Sequence, residues 1–219
     1  MNPIYRAINS AMRLCPVPTG WIDGNLCALN PGIVNVFLYQ KDGALIAFDA
    51  GYGRGALRRE LRRVELDPGR VSHLFLSHSD FDHAGCLEVF PNARVYMSED
   101  EEKLCTSPRP LRFLIARNPK MRRAYTLLGE GETVTVGSVA VKAIKTPGHT
   151  PGSMAYLVDG RVLFSGDTLS LRNGQAVPNR AFVMDMESLR ASAEKLIALK
   201  GVELLVTAHV GVKQLSVNS

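Results

Sequence analysis

The chain has 219 residues, 46% of them hydrophobic and 21% charged, with a net charge of +5, which is the balance of a globular protein. No apolar run reaches the roughly 18 residues that a membrane-spanning helix needs, so the composition argues against a membrane protein. The N-terminus lacks the basic-then-apolar pattern of a secretion signal, and the four cysteines show no paired spacing. Both features predict a cytoplasmic location.

Short apolar runs bounded by turn residues predict nine strands. They lie at residues 33–39, 44–48, 71–76, 94–97, 133–136, 139–145, 154–158, 161–164 and 203–206. Helical spacing of apolar residues, or a capping residue ahead of them, predicts helices at residues 55–64, 82–90 and 185–199 and a fourth that starts after Ser98.

Two parts of the chain do not follow this periodic pattern. Residues 1–30 give no clear periodic signal, and residues 106–128 are predicted to form a basic, lid-like insertion. No linker or low-complexity segment divides the chain, so we expect residues 1–219 to form a single layered α/β domain.

The segment at residues 77–85, Ser-His-Ser-Asp-Phe-Asp-His-Ala-Gly, follows the predicted strand at residues 71–76. It places four potential metal ligands, His78, Asp80, Asp82 and His83, within six residues. Imidazoles and carboxylates that are crowded in this way share a divalent cation as their natural partner. We therefore predict a metal site where the strand ends.

Three later segments offer further ligands. His149 lies among turn residues in Thr-Pro-Gly-His-Thr-Pro-Gly, Asp167 lies in Ser-Gly-Asp-Thr after a strand, and His209 lies in Thr-Ala-His-Val-Gly after another. The fifth histidine, His73, is inside a predicted strand and is expected to be a core residue. Asp49 also follows a strand, and we expect it to bind loop amides rather than a metal.

The order and surroundings of these segments resemble the metallo-β-lactamase superfamily, whose signature is His-x-His-x-Asp-His followed by a distant His, Asp and His. The resemblance extends from about residue 34 to residue 211. It implies an αββα sandwich with two metal ions at the edge of the sheets. It also implies the ligands: His78, Asp80 and His149 for one ion, Asp82, His83 and His209 for the other, and Asp167 between them.

Asp80 departs from the family pattern, because most members have histidine at this position, while the related flavodiiron proteins have glutamate. We expect Asp80 to bind the metal directly, and a role behind the ligands is the alternative. An added carboxylate makes the site harder and less positive, so zinc is expected first, with iron or manganese as alternatives. A site with one metal ion is the remaining alternative, because the side chain of aspartate is shorter than that of histidine and would hold the first ion less well.

The resemblance implies a metal-dependent hydrolase in which a metal-bound hydroxide attacks a carbonyl ester, lactone or thioester. Asp82 would be the catalytic residue that orients the nucleophile or accepts its proton. Ser170, Arg172 and Asn173 follow Asp167 and are candidates for binding the substrate, or else they form an ordinary exposed loop.

The basic residues bear on the choice of substrate and partner. They cluster at residues 54–63 and 109–123, as solvated helix faces or as a rim that attracts an anionic substrate. Aromatic residues are not interleaved with them, so binding of nucleic acid is disfavoured. We expect a small-molecule substrate and no membrane contact. A homodimer is an open option.

Two other activities stay open. Asp80 favours a diiron-type redox enzyme, for oxygen reduction or sulfur dioxygenation, and the arginine clusters favour a phosphodiesterase or nuclease.

Overall fold

The computed structural model describes residues 3–106 and 123–215, which contain five α-helices and fifteen β-strands. The helices are Pro3–Met12 (α1), Arg54–Arg63 (α2), Phe81–Ala84 (α3), Glu99–Thr106 (α4) and Met186–Ile197 (α5). Among these described helices, none combines the length and apolarity that crossing a bilayer requires.

The first sheet has seven strands whose spatial order is their order in the chain. They are Gly20–Trp21 (β1), Leu26–Leu29 (β2), Val36–Lys41 (β3), Ala44–Phe48 (β4), His73–Phe75 (β5), Arg94–Ser98 (β6) and Tyr125–Leu128 (β7). Strands β1 to β4 pair antiparallel, and β4 to β7 pair parallel. The parallel half therefore directs the ends of β4, β5 and β6 to one edge.

The remaining strands form a second sheet and a separate hairpin. They are Thr133–Val136 (β8), Val139–Lys145 (β9), Met154–Val158 (β10), Val162–Phe164 (β11), Leu169–Arg172 (β12), Gln175–Pro178 (β13), Leu204–Thr207 (β14) and Gly211–Gln214 (β15). The second sheet has the order β15-β14-β11-β10-β9-β8, and β12 and β13 pair only with each other.

Three of the hairpins turn through two residues that both have positive φ, as tight hairpins require. These turns are Asp42-Gly43, Asp159-Gly160 and Asn173-Gly174. The first two confirm turns that the sequence predicts. The third shows that Asn173 lies in a hairpin turn, whereas the sequence left the residues after Asp167 as a candidate loop.

The two sheets face each other across an aromatic core. The rings of Phe48 and Phe164 stack with their centroids 3.7 Å apart, and Phe75 and Tyr156 pack beside them at 5.3 Å. The buried Tyr156 hydroxyl donates a hydrogen bond to the Leu76 carbonyl at 2.7 Å, so this polar group costs little in the core.

Helices cover the outer faces of both sheets. Leu57 and Leu61 of α2 and Cys105 of α4 pack on the first sheet, and Ala193 and Leu196 of α5 pack on the second. The result is the αββα sandwich that the family resemblance implies.

All nine predicted strands are confirmed, with shifts at their ends, and so are the helices at α2, α4 and α5. The predicted helix at residues 82–90 is wrong in length, because α3 ends at Ala84 and a single 3-10 turn follows at Leu87–Val89. The backbone leaves helical geometry at Cys86, with φ −126° and ψ 34°. This bend buries Cys86 and Leu87 against the first sheet. Helix α1 and strands β1, β2, β12, β13 and β15 were missed, although Ile4, Ile8 and Met12 at helical spacing and the apolar run Leu26–Leu29 were available signals for α1 and β2.

Only part of the predicted insertion at residues 106–128 can be compared with the structure, because residues 107–122 lie outside the described part of the chain. Its C-terminal end is not a lid, since Tyr125–Leu128 forms edge strand β7, parallel to β6. The Arg123 guanidinium donates hydrogen bonds to main-chain carbonyls of the segment before β6, among them Leu87 and Phe90. Arg123 therefore anchors the chain and does not belong to a substrate-attracting rim.

Candidate metal centre

Short loops at one edge of the two sheets bring the predicted ligands together. The loop after β5 carries His78 and Asp80, and α3 carries Asp82 and His83. The ends of strands in the second sheet supply the other three, His149, Asp167 and His209. Because successive strand ends converge at this edge, residues that lie up to 131 positions apart in the sequence become neighbours.

The first group of ligand atoms consists of His78, Asp80 and His149, all buried. Asp80 Oδ2 lies 3.4 Å from His78 Nε2 and 3.5 Å from His149 Nε2. The position where the family usually has histidine is therefore filled by a carboxylate that points at the same two imidazoles.

The second group consists of Asp82, His83 and His209. Asp82 Oδ2 lies 3.6 Å from His83 Nε2 and 3.5 Å from His209 Nε2. The two imidazole Nε2 atoms are themselves only 3.3 Å apart. Three donor atoms thus surround one small volume.

Asp167 lies between the two groups. Its Oδ2 is 3.3 Å from His149 Nε2 in the first group, and its Oδ1 is 3.2 Å from His209 Nε2 in the second. Its ligand oxygen also lies within 4.8 Å of donor atoms of His78 and His83. The geometry brings together all seven sequence-predicted ligands.

Each of the four imidazoles is held through its Nδ1 atom. His83 Nδ1 bonds to Asp49 at 2.8 Å, and His149 and His209 bond to the main-chain carbonyls of Ala181 and Ile33 at 3.1 and 2.6 Å. A carboxylate or carbonyl can only accept, so these Nδ1 atoms carry the hydrogen and each Nε2 presents a lone pair to the centre.

The Ser77 hydroxyl determines the orientation of the fourth imidazole, that of His78. It donates to Asp49 Oδ2 at 2.9 Å, which leaves its oxygen free to accept from His78 Nδ1 at 3.0 Å. The lone pair of His78 Nε2 therefore also faces inward. Among the described residues this buried atom has no hydrogen-bond partner.

Such an arrangement fits a cation. Lone pairs of His83 and His209 that face each other at 3.3 Å repel unless a proton or a metal ion lies between them. A cation in the second group would satisfy both of these atoms and the Asp82 carboxylate, and a cation in the first group would satisfy the inward Nε2 of His78 and the Asp80 carboxylate. The donors are imidazole nitrogens and carboxylate oxygens only, which is a set that divalent zinc, iron and manganese accept.

The pKa values describe the same negative field. Burial opposes the charged form of His83, yet the carboxylates of Asp82, Asp49 and Asp167 raise the pKa of His83 to about 10. Burial likewise opposes charge on His209, and the Asp167 carboxylate leads the effects that raise its pKa to about 9. Although burial favours neutral Asp167, the neighbouring imidazoles lower its pKa well below the usual value. The centre therefore attracts positive charge.

Asp49 supports the first loop, as the sequence predicts. Its Oδ1 accepts from the Ser77 amide at 2.8 Å, while its Oδ2 holds the Ser77 hydroxyl and His83. One buried carboxylate thus orients two imidazoles, one directly and one through Ser77.

Glu101 gives a second support, which the sequence analysis missed. Its fully buried carboxylate accepts from the Ser79 amide at 2.8 Å, from the Ser79 hydroxyl at 2.6 Å and from the Thr150 hydroxyl at 2.7 Å. It therefore joins the loop of His78 and Asp80 to the loop of His149. The available signal was the Ser98-x-x-Glu101 capping pattern, in which Ser98 does accept from the Glu101 amide.

A cavity of about 1080 Å³ opens above the metal-centre residues. Ser170, Arg172 and Asn173 line it, all three in the hairpin of β12 and β13. Helix α1 contributes Ile8 and Met12, which the sequence analysis did not single out.

The first basic cluster lies elsewhere. On α2, Arg54 pairs with Glu88 at 2.6 Å, and Arg59 and Arg63 pair with Glu60 at 3.0 Å. This segment is a solvated helix face and not part of the cavity wall. The second basic cluster lies outside the described residues apart from Arg123.

His73 takes no part in the centre. Its half-buried ring stacks on Tyr96 at 5.7 Å, and its Nδ1 bonds to the Ser72 hydroxyl at 2.8 Å. Burial leads the effects that lower its pKa. His73 is thus a sheet residue, less deeply buried than the sequence suggested.

Comparison with known proteins identifies the family. The sequence profile of the Metallo-beta-lactamase superfamily matches residues 29–209. The uncharacterized protein YobT of Bacillus subtilis is 31% identical in an alignment of 220 positions that covers 90% of this chain and 91% of YobT. A hydroxyacylglutathione hydrolase of Xanthomonas campestris is 28% identical over 185 residues, covering 76% of this chain and 63% of that enzyme.

Solved structures share the fold. BJP-1, a subclass B3 metallo-beta-lactamase of Bradyrhizobium japonicum, matches with a TM-score of 0.70 and 21% identity over 92% of this chain and 81% of that chain. The profile match and the shared sandwich lead to one conclusion: the chain belongs to the metallo-beta-lactamase superfamily of metallo-hydrolases.

Proposed function

We propose that the chain is a hydrolase with a dinuclear centre that cleaves a carbonyl ester, lactone or thioester. His78, Asp80 and His149 would hold one divalent ion, Asp82, His83 and His209 the other, and Asp167 would lie between them. The observation that carries the proposal is the position of Asp167, which reaches an imidazole of each group at 3.3 and 3.2 Å.

When bound, two divalent ions would supply Lewis acidity and a water activated near neutral pH. The chain's own residues then do the positioning. Asp82 lines the cavity, and only one of its two carboxylate oxygens, Oδ2, faces His83 and His209, so its other oxygen is the group placed to accept and return a proton. Asp167 stays ionised in this field, and the Nδ1 contacts keep every imidazole in one tautomer.

The ester, lactone or thioester class is supported by the hydroxyacylglutathione hydrolase relative and by a cavity that adjoins the centre. Zinc is the first expectation for the ions, because four imidazoles and three carboxylates suit its preference for nitrogen and oxygen donors. Asp80 makes the first position more oxygen-rich than usual, so iron or manganese is the alternative.

The test combines metal analysis with hydrolysis. Protein purified without added metal is assayed by elemental mass spectrometry and against neutral aryl esters, thioesters and lactones. We expect close to two zinc ions per chain and hydrolysis of at least one class. Asp167→Asn should lose both metal and activity, whereas Glu194→Gln, an exposed carboxylate of α5, should change neither. An active Asp167→Asn protein with two ions would refute the dinuclear assignment.

A diiron-type redox enzyme is the second candidate, and the contacts of Asp80 with His78 and His149 favour it. Two iron ions per chain together with no hydrolysis of any ester class would decide for this candidate.

A further inference from the structure

The wall of the cavity carries an unbalanced positive charge. Its acidic residues are the three aspartates of the metal centre, Asp80, Asp82 and Asp167. Beyond them the wall contains three arginines, Arg13, Arg172 and Arg180, and neither aspartate, glutamate nor lysine among the described lining residues. Two divalent ions, with four positive charges, would more than neutralise the three aspartates. The three arginines therefore determine the positive electrostatic potential at the cavity wall, where a substrate would bind.

The three arginines come from separate elements that converge on the cavity. Arg13 follows the end of α1, Arg172 ends β12, and Arg180 lies in the loop after β13. All three are exposed, and no carboxylate of residues 3–106 or 123–215 pairs with them. By contrast, Arg54 and Arg161 at the surface elsewhere are paired with Glu88 and Glu203. The cavity arginines are thus available to an external anion.

The rest of the wall is apolar. Ile8 and Met12 of α1 lie on one side, and Leu171 and Val177 of the hairpin lie on another. An apolar surface next to a catalytic centre binds the hydrocarbon part of a substrate, while a few polar groups determine its orientation. A small hydrophilic substrate would leave this surface in contact with water.

We propose that the cavity binds an amphiphilic anion, an acyl compound with an apolar chain and an anionic group distant from the carbonyl that is cleaved. Arg13, Arg172 and Arg180 are the specificity-determining residues for that anionic group. The reaction itself rests on the proposed function, but the binding of the anion does not. Arg172 was a substrate-binding candidate from the sequence, whereas Arg13 and Arg180 are assigned by the structure alone.

The kinetic test uses two matched esters. One is an activated phenyl monoester of octanedioic acid with a free distal carboxylate, and the other has that carboxylate capped as a primary amide. The wild-type protein should prefer the anionic ester. In Arg172→Gln and Arg180→Gln, KM for the anionic ester should rise about tenfold, the size of one charge-assisted hydrogen bond, with little change in kcat.

Arg58→Gln is the matched control, because Arg58 is an exposed arginine of α2 away from the cavity. It should leave both KM values unchanged, and the neutral ester should respond little to any of the variants. If the cavity variants slow both esters equally, or if the wild type shows no preference, the arginines do not recognise an anion and the proposal is wrong.

A binding measurement separates this proposal from the hydrolase assignment. Hexane-1-sulfonate, an anion that coordinates metals weakly, is titrated by calorimetry against the metal-loaded protein, with hexan-1-ol as the neutral probe. We expect the sulfonate to bind more tightly and the Arg172→Gln/Arg180→Gln double variant to lose this difference. Sulfonate binding without ester hydrolysis would overturn only the proposed function. Hydrolysis of the neutral ester without sulfonate preference would overturn only the anion proposal.

Discussion

The floor and the walls of the cavity are built in different ways. The floor consists of loops at the ends of buried strands, and its ligands are buried except for the half-buried Asp82, with further contacts such as that of His83 with Asp49. The walls consist of α1 and the hairpin of β12 and β13, which stands apart from both sheets. We infer that the floor sets the chemistry and tolerates little change, and that the walls set the choice of substrate and tolerate more.

The largest expected effect is at Gly152 on the floor. A Cβ at this position would lie 2.0 Å from the Glu101 amide nitrogen, so Gly152→Ala must displace the loop that carries His149 or the start of α4. We expect a loss of about 3 kcal/mol of unfolding free energy, the upper range for overpacking, together with loss of metal. Denaturant unfolding and elemental analysis measure both.

Gly24→Ala is the matched control for that change, because a Cβ there has no atom within 4 Å and φ is not in the left-handed region. Its stability should match the wild type. Equal stability of the Gly152→Ala and Gly24→Ala variants would contradict the inference that the floor tolerates little change.

The second prediction concerns Asp49. Asparagine can still accept from the Ser77 amide through its oxygen, but its NH₂ group can accept neither from the Ser77 hydroxyl nor from His83 Nδ1. Asp49→Asn should lower metal affinity about 10- to 100-fold while the fold is retained. Competition with a zinc chelator measures the affinity, and circular dichroism checks the fold. Unchanged affinity would show that His83 needs no orienting partner.

The third prediction concerns the walls. Val177→Ala removes apolar surface from the cavity without touching a ligand or its support. We expect KM for an ester with a long acyl chain to rise about threefold to tenfold, from the loss of about two buried methyl groups, with metal content unchanged. Steady-state kinetics and elemental analysis test this. Loss of metal in this variant would mean that floor and walls are not independent.

The smallest expected effect lies outside both regions, at Asp159. Although burial favours its neutral form, hydrogen bonds from Lys41 and the Ala140 amide hold the pKa of Asp159 below its usual value. A lowered pKa in the folded state stabilises the fold at neutral pH, and this contribution is lost as the pH falls through the folded pKa. Thermal unfolding of Asp159→Asn should therefore depend less on pH below about pH 5 than that of the wild type. Parallel curves would rule out this contribution.

Most of the floor could be predicted from the amino-acid sequence. His78, Asp82, His83, His149, Asp167 and His209 could be found because each lies next to an apolar strand or in a run of turn residues, and these local patterns mark strand ends. The same local patterns predicted the strands of the sandwich, since a buried strand must be apolar whatever it pairs with. Asp80 could be named as an anomaly because it departs from the family pattern, which usually has histidine at this position.

The surroundings of that floor, by contrast, follow from how distant segments pack together. Glu101 lies in a helix start that looks ordinary in sequence, and its contacts with Ser79 and Thr150 span 22 and 49 residues. Arg13 and Arg180 meet at one cavity only because α1 and the hairpin fold over the same edge. Convergence of distant segments leaves no periodic trace in the chain, whereas the local geometry of a strand end does. The metal-centre residues therefore lie in short motifs that are visible in the sequence, whereas the cavity wall is assembled by long-range packing.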